Sequence, residues 1–293
     1  MFVLVLAALV LSLSTSSGAS GASPPEAVLP AALSSAPAGG PRAAAATRLL
    51  VGAPYVLSAL GEGAGPDADP RFRLDAFDCL GFLETAIALG SSRSLDEAAR
   101  ALDDIRYQGP PALGARNHEV QAQWLPANLE KGWIVELTRP LAGARAFEVP
   151  IEFTPDRWRA LRAAGRAIDG LPAAREPVGR FELWAIAPEE LAALGPHIPE
   201  GTAVVVVRAD EPARTTRVSH VGLVVAGPSG ERSIRHATTW PRDGSGRVVE
   251  EPLAGFAARQ RRARPGWPLV GFALFGLPDA SARVAALRAS DPT

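Results

Sequence analysis

The residues of this chain best suited to covalent chemistry are its single cysteine, Cys79, and two of its four histidines, His220 and His236. Cys79 opens the stretch Cys79-Leu80-Gly81-Phe82-Leu83, and apolar residues at 79, 80, 83, 86 and 87 recur at helical spacing. Asp78 is placed to cap that helix and Gly90 to stop it. A thiol in a first helical turn faces unpaired N–H groups and the positive end of the helix dipole, which favours the thiolate and should lower its pKa. The Asp78 charge opposes this if the carboxylate turns inward; turned into a cleft, it is free to bind substrate. A thiolate nucleophile needs a base, and the base an orienter. His220 and His236 lie in two β-branched runs flanking Gly227-Pro228-Ser229-Gly230. A turn centred on Pro228 sets the two histidines directly opposite each other, roughly 5 Å apart at Cβ. A register shifted by two leaves them diagonal on one face, and a shift by one separates them. The competing readings are a structural buried cysteine, and two packed histidines or half of a metal site.

These groups need elements to hold them. A helix interrupted by Pro54 is expected over 45–60, then a Gly/Pro/Asp-rich loop over 61–70. Ser94-Leu95-Asp96-Glu97 is a capping box opening a helix through Ile105. Residues 138–200 read as a helical insertion, with helices over 155–168 and 188–194. Strands are expected at 203–208, 218–225, 232–237, 248–249 and 269–275. Helices first and strands afterwards is an α+β pattern.

Composition narrows the class. Apolar residues make up 47% and charged residues 21% of 293, and the net charge is −1. That excludes a disordered chain and a polybasic nucleic-acid binder. One cysteine excludes an internal disulfide and a four-cysteine zinc site. Residues 2–13 form an apolar run too short to span a bilayer, followed by small residues with a small-x-small site at Ser20-Gly21-Ala22. The expectation is a signal peptide over 1–22 and a secreted or periplasmic protein without a membrane span. An Ala/Ser/Pro-rich linker over 23–46, one catalytic domain over 47–278 and a tail over 279–293 complete the expected plan, for a monomer.

Three blocks together resemble the NlpC-type cell-wall cysteine peptidases, a bacterial branch of the papain-like fold. They are Gly52-Ala53-Pro54-Tyr55, then Phe77-Asp78-Cys79-Leu80-Gly81-Phe82, then Ser219-His220-Val221-Gly222-Leu223 with Ile234-Arg235-His236-Ala237-Thr238. The resemblance implies N-terminal helices packed on an antiparallel sheet. It makes Cys79 the nucleophile, His220 the base and His236 the orienter, with Tyr55 at the oxyanion site and Asp78 lining the substrate pocket. Leu80 stands where that family usually has Ser. Glu84-Thr85, Ile105-Arg106-Tyr107, Arg116-Asn117-His118 and Trp124-Leu125-Pro126 resemble the N-acetylmuramoyl-L-alanine amidase-like branch. Arg116, His118 and Trp124 are then candidate substrate residues, each with loop packing as the alternative. Trp240 is either a sugar-stacking aromatic or a core or rim aromatic. The implied reaction is hydrolysis of a peptidoglycan amide between N-acetylmuramic acid and L-alanine, without metal or cofactor. The alternatives are an endopeptidase cutting after D-glutamate and a non-catalytic wall-binding protein.

Overall fold

The computed structural model describes residues 25–227, 229–240 and 244–289. The apolar run at 2–13 and its cleavage site lie outside the described residues, as does Pro228. The stretch read as a linker is structured: it carries α1 (Pro25–Ser35) and α2 (Gly40–Thr47). Leu29 and Leu33 are fully buried with Ala43 and Ala46. Small residues there permit close helix contact rather than flexibility.

The expected helix over 45–60 does not form. After a tight turn at Arg48–Leu50 the chain runs extended, with Pro54 bridging to Arg247 and Tyr55 to Phe77. Pro54 has no N–H to give a helix, and Ala53 before it is biased away from helical angles. Next, α3 (Cys79–Ser91) begins where expected. Gly90 does not stop it. A Cβ there would lie 2.9 Å from the Gly39 carbonyl and 3.1 Å from Ala43 Cβ, so this glycine lets α2 approach. α4 (Leu95–Arg106) has the predicted start, with the Glu97 amide donating to Ser94 Oγ at 3.2 Å.

A π-helical turn, Val120–Trp124, leads into α5 (Leu125–Glu130), followed by β1 (Val135–Glu136) and α6 (Thr138–Ala142). The insertion is not purely helical. It contains β2 (Phe147–Phe153), α7 (Pro155–Ala163), β3 (Gly179–Ala185) and α8 (Glu190–Leu194), and β2 and β3 pair as a separate antiparallel ribbon. Phe147, Val149, Ile151 and Phe153 alternate with polar residues or proline, a strand signal that Pro150 masks. In a two-stranded ribbon both strands are edges, so the missing N–H is tolerated.

The main sheet is built from β4 (Ala203–Arg208), β5 (Val218–Ala226), β6 (Arg232–Thr238), β7 (Arg247–Pro252) and, after α9 (Leu253–Ala263), β8 (Leu269–Gly276). Its order is β1-β8-β4-β5-β6-β7, with antiparallel neighbours. One face, with Val205, Leu223 and Ala237, shares a core with Phe82 and Leu83 of α3. The other, with Val206, Val224 and Ile234, packs on Phe256 of α9. The expected tail carries α10 (Ser281–Ala289), held by Arg283 to Asp104 of α4 at 2.6 Å. No helix among the described residues is long and apolar enough to cross a membrane.

Behind α3 lies a buried charge pair. Glu84 of α3 accepts from Arg106 at 2.5 Å and from the Trp124 indole at 2.8 Å. All three residues are buried. Removing one partner of such a pair strands the other charge in the core, at a cost of about 3–5 kcal/mol. Glu84→Ala is therefore expected to lose stability on that scale, read as a lowered midpoint in urea denaturation.

Candidate active site

Cys79 is the first residue of α3. The Asp78 carboxylate builds this corner in two ways. Its Oδ1 accepts from the Gly81 amide at 2.7 Å, capping the helix, and its Oδ2 accepts from the Ser58 amide at 3.0 Å. Ser58, held by that bond, has a positive φ of 54°. Asp78 is thus committed to backbone partners rather than left open as a pocket residue. The consequence for the thiol reverses the expectation from helix position. Burial, then the Asp78 charge, push Cys79 up to about 12, against contacts with the Val221 and Leu80 amides that favour the thiolate. The Val221 contact puts the sulfur next to the residue that follows His220 on β5. Tyr55 lies in the same field: burial, Cys79 and Asp78 push its hydroxyl up to about 12, so it keeps its proton.

The imidazoles come together, though not in the register expected. Leu223 pairs with Arg235 and Val224 with Ile234, a register shifted by two from one centred on Pro228. His220 and His236 are diagonal on one face, with His220 Nε2 2.7 Å from His236 Nδ1. Gly222 makes the diagonal reach possible, because a Cβ there would sit 3.0 Å from His236 Cβ. An irregularity between Val206 and Val207 pairs them with His220 and Val218, leaving Ser219 as the extra residue beside His220.

Sequence reading missed the third member of this chain. Glu251 of β7 accepts from His236 Nε2 at 2.8 Å and is itself gripped by Arg259 of α9. The only sequence signal is that Arg247, Val249 and Glu251 alternate onto one face of a strand whose register was unknown. A carboxylate only accepts, and Glu251 at 2.8 Å lies closer to Nε2 than the Arg259 guanidinium nitrogen at 3.3 Å, which assigns the proton of His236 to Nε2. Neutral His236 then accepts through Nδ1, His220 donates from Nε2, and Nδ1 of His220 is left as the basic nitrogen. Both imidazoles are held neutral. Burial, then His236 and the Arg259, Arg264 and Arg208 charges, lower His220 well below 6.5. Burial lowers His236, with Glu251 opposing.

The candidate substrate residues go elsewhere. Trp124 is a core residue, buried on Glu84. Arg116 is bound to Glu62 at 2.6 Å and Asp67 at 2.8 Å, and His118 Nε2 lies 2.7 Å from the Leu113 carbonyl. Arg116 ties the loop after α4 to the loop before α3, His118 bonds within its own loop, and Trp124 backs α3. Among the described residues no group of three His, Cys, Asp or Glu side chains is arranged to hold a metal.

A family model for N-acetylmuramoyl-L-alanine amidase-like proteins matches residues 45–263, a span that includes Cys79, both histidines and Glu251. The chain belongs to this family. The amidase-like chain shares its fold with a Legionella pneumophila protein of the DUF1460 family, at 20% identity and a TM-score of 0.62, covering 79% of this chain and 87% of that one. An N-acetylmuramoyl-L-alanine amidase from Bacteroides uniformis matches at 17% identity and a TM-score of 0.58, over 78% and 93%. A Bacteroides fragilis protein provisionally named a xylanase matches at 19% and 0.56, over 77% and 96%. At these identities the likeness is one of fold. No curated protein matches the amidase-like chain.

Two outcomes follow from the hydrogen-bond chain. Glu251→Ala frees both imidazole tautomers and is expected to lower kcat about tenfold to a hundredfold. Glu251→Gln keeps an accepting oxygen and should restore most of it; a purely structural role would be seen instead in the melting temperature. The second outcome concerns pH. Unfolded histidine titrates near 6.5, whereas both folded imidazoles are held neutral below that. At these two sites the unfolded chain therefore binds more protons below that pH, so their contribution to stability is full above about 6.5 and falls as pH falls, whereas Glu119, pushed up to about 7 by burial, acts in the opposite direction. Between about pH 7 and pH 5 the melting temperature of the wild type is expected to fall relative to that of the variant in which both histidines are replaced by glutamine.

Proposed function

We propose that this chain is a papain-like, NlpC-type thiol amidase that hydrolyses the amide between the lactyl group of N-acetylmuramic acid and L-alanine in peptidoglycan. The observation that carries the reading is the Cys79 corner set beside the strand that bears a tautomer-locked His220–His236–Glu251 chain. Membership of the amidase-like family and the amidase name of the Bacteroides uniformis fold relative support the substrate class. The apolar leader at 2–13 fits export to that substrate.

In this scheme the resting pair is neutral thiol and neutral imidazole. As the substrate carbonyl arrives, His220 Nδ1 takes the Cys79 proton and Sγ bonds to the carbonyl carbon. The Cys79 amide and the protonated Tyr55 hydroxyl meet the developing oxyanion, each worth about 3 kcal/mol. Collapse breaks the C–N bond, and His220 returns the proton to the leaving nitrogen, releasing a stem peptide with a free amine. Water, deprotonated by His220, then hydrolyses the thioester, and the lactyl carboxylate leaves with Cys79 restored.

The test is digestion of purified peptidoglycan with products read by mass spectrometry. Peptides beginning with L-alanine, together with peptide-free glycan, are the expected products. Fragments beginning at the diamino acid would replace the assigned bond with the one after D-glutamate. Cys79→Ala is expected to abolish turnover at an unchanged melting temperature, and retained hydrolysis would overturn the thiol mechanism. Tyr55→Phe removes one oxyanion donor and is expected to lower kcat about a hundredfold.

A further inference from the structure

Beside the base lies a cavity of about 670 Å³, walled by Ser219, His220, Trp240 and the arginines Arg259, Arg262 and Arg264. Among the described residues no aspartate or glutamate lines it. Arg259 has its counter-charge in Glu251. Arg262 and Arg264 are exposed and, among the described residues, form no ion pair. The charge of Arg264 is nonetheless felt at Tyr55, His220 and Arg208, so it stands over the reacting groups.

Behind this wall is a further positive charge. Arg208 is fully buried, and its hydrogen bonds run to neutral acceptors: Ser219 Oγ at 3.0 Å, the Trp267 carbonyl at 3.3 Å and Gln260 Oε1 at 2.9 Å. Ser219 and Gln260 also line the cavity. Burial and Arg264 both lower Arg208, and no carboxylate offsets them. A buried cation whose hydrogen-bond partners are all neutral is costly to keep, and an anion delivered by a ligand would offset that cost.

The position of the cavity says which part of the substrate it meets. His220 lines it and Cys79 does not. The imidazole must face the nitrogen it protonates, so this is the leaving-group side. Under the amidase reading, on which the inference rests, the leaving group is the stem peptide, and the stem peptide carries free carboxylates.

We propose that the cavity walled by Arg262 and Arg264, with buried Arg208 behind its lining residues Ser219 and Gln260, is a subsite for the free α-carboxylate of the γ-linked D-glutamate, one residue beyond the amine released. Arginine suits a planar carboxylate because its guanidinium can donate two parallel hydrogen bonds. Binding there also places a negative charge near His220, making it a stronger base only when substrate is seated.

The experiment compares N-acetylmuramoyl-L-alanyl-D-glutamate with its α-amide, the isoglutamine form. The wild-type protein is expected to favour the acid by about tenfold or more in kcat/KM, mainly through KM, the size of one charge-assisted hydrogen bond. In Arg262→Gln/Arg264→Gln, whose altered residues are exposed, the ratio should fall towards one. Equal rates in the wild type, or a preference that survives the double substitution, would overturn the subsite. If the wild type cleaves neither compound, the amidase reading fails by itself. The subsite is then decided by calorimetry on Cys79→Ala, where tighter binding of the acid supports it and equal or absent binding overturns it.

Discussion

A carboxylate can accept hydrogen bonds but cannot donate them, and from that asymmetry the proton positions of the whole imidazole pair follow. Glu251 accepts a hydrogen bond from His236 Nε2, His236 Nδ1 accepts one from His220 Nε2, and one basic nitrogen remains. The surrounding structure serves this line of contacts. Gly222 leaves room for the rings to meet across a diagonal, Phe256 closes one side at 5.3 Å from the His236 ring, and Arg259 fixes the carboxylate. Because β5 and β6 pair only from Leu223 onward, the amide of Val221 is left to meet the Cys79 sulfur.

Charge around the sulfur is arranged against a standing thiolate. Asp78 is needed to cap α3 and to hold the Ser58 turn, and its negative charge adds to the effect of burial on the thiol. Arginines around His220 disfavour an imidazolium. Both effects suit a site that separates charge only with a substrate in place. A neutral thiol is also the form less open to oxidation, since oxidation follows thiolate character.

Much of the local structure was legible in the residues. The Asp78 and Ser94 caps, the Val-rich strands and the α+β order follow from short-range rules, and α3 and α4 begin where those rules place them. The failures share a cause. Gly90 reads as a helix end but serves an interhelix contact, the alanine-rich stretch before Thr47 reads as a linker but fills a core, and β2 hides behind Pro150. In each case the residue answers to a neighbour far away in sequence, which local pattern does not report.

The sequence by itself determined that a cysteine opens a capped helix and that two histidines occupy adjacent β-branched runs, because caps and strand periodicity depend on residues within a few positions. Tertiary structure decided the rest. The two-residue register, the recruitment of Glu251, the core role of Trp124, the ion pairs of Arg116, and the upward rather than downward push on the thiol depend on which surfaces meet. Burial and long-range charge belong to the assembled fold, and no spacing along the chain encodes them.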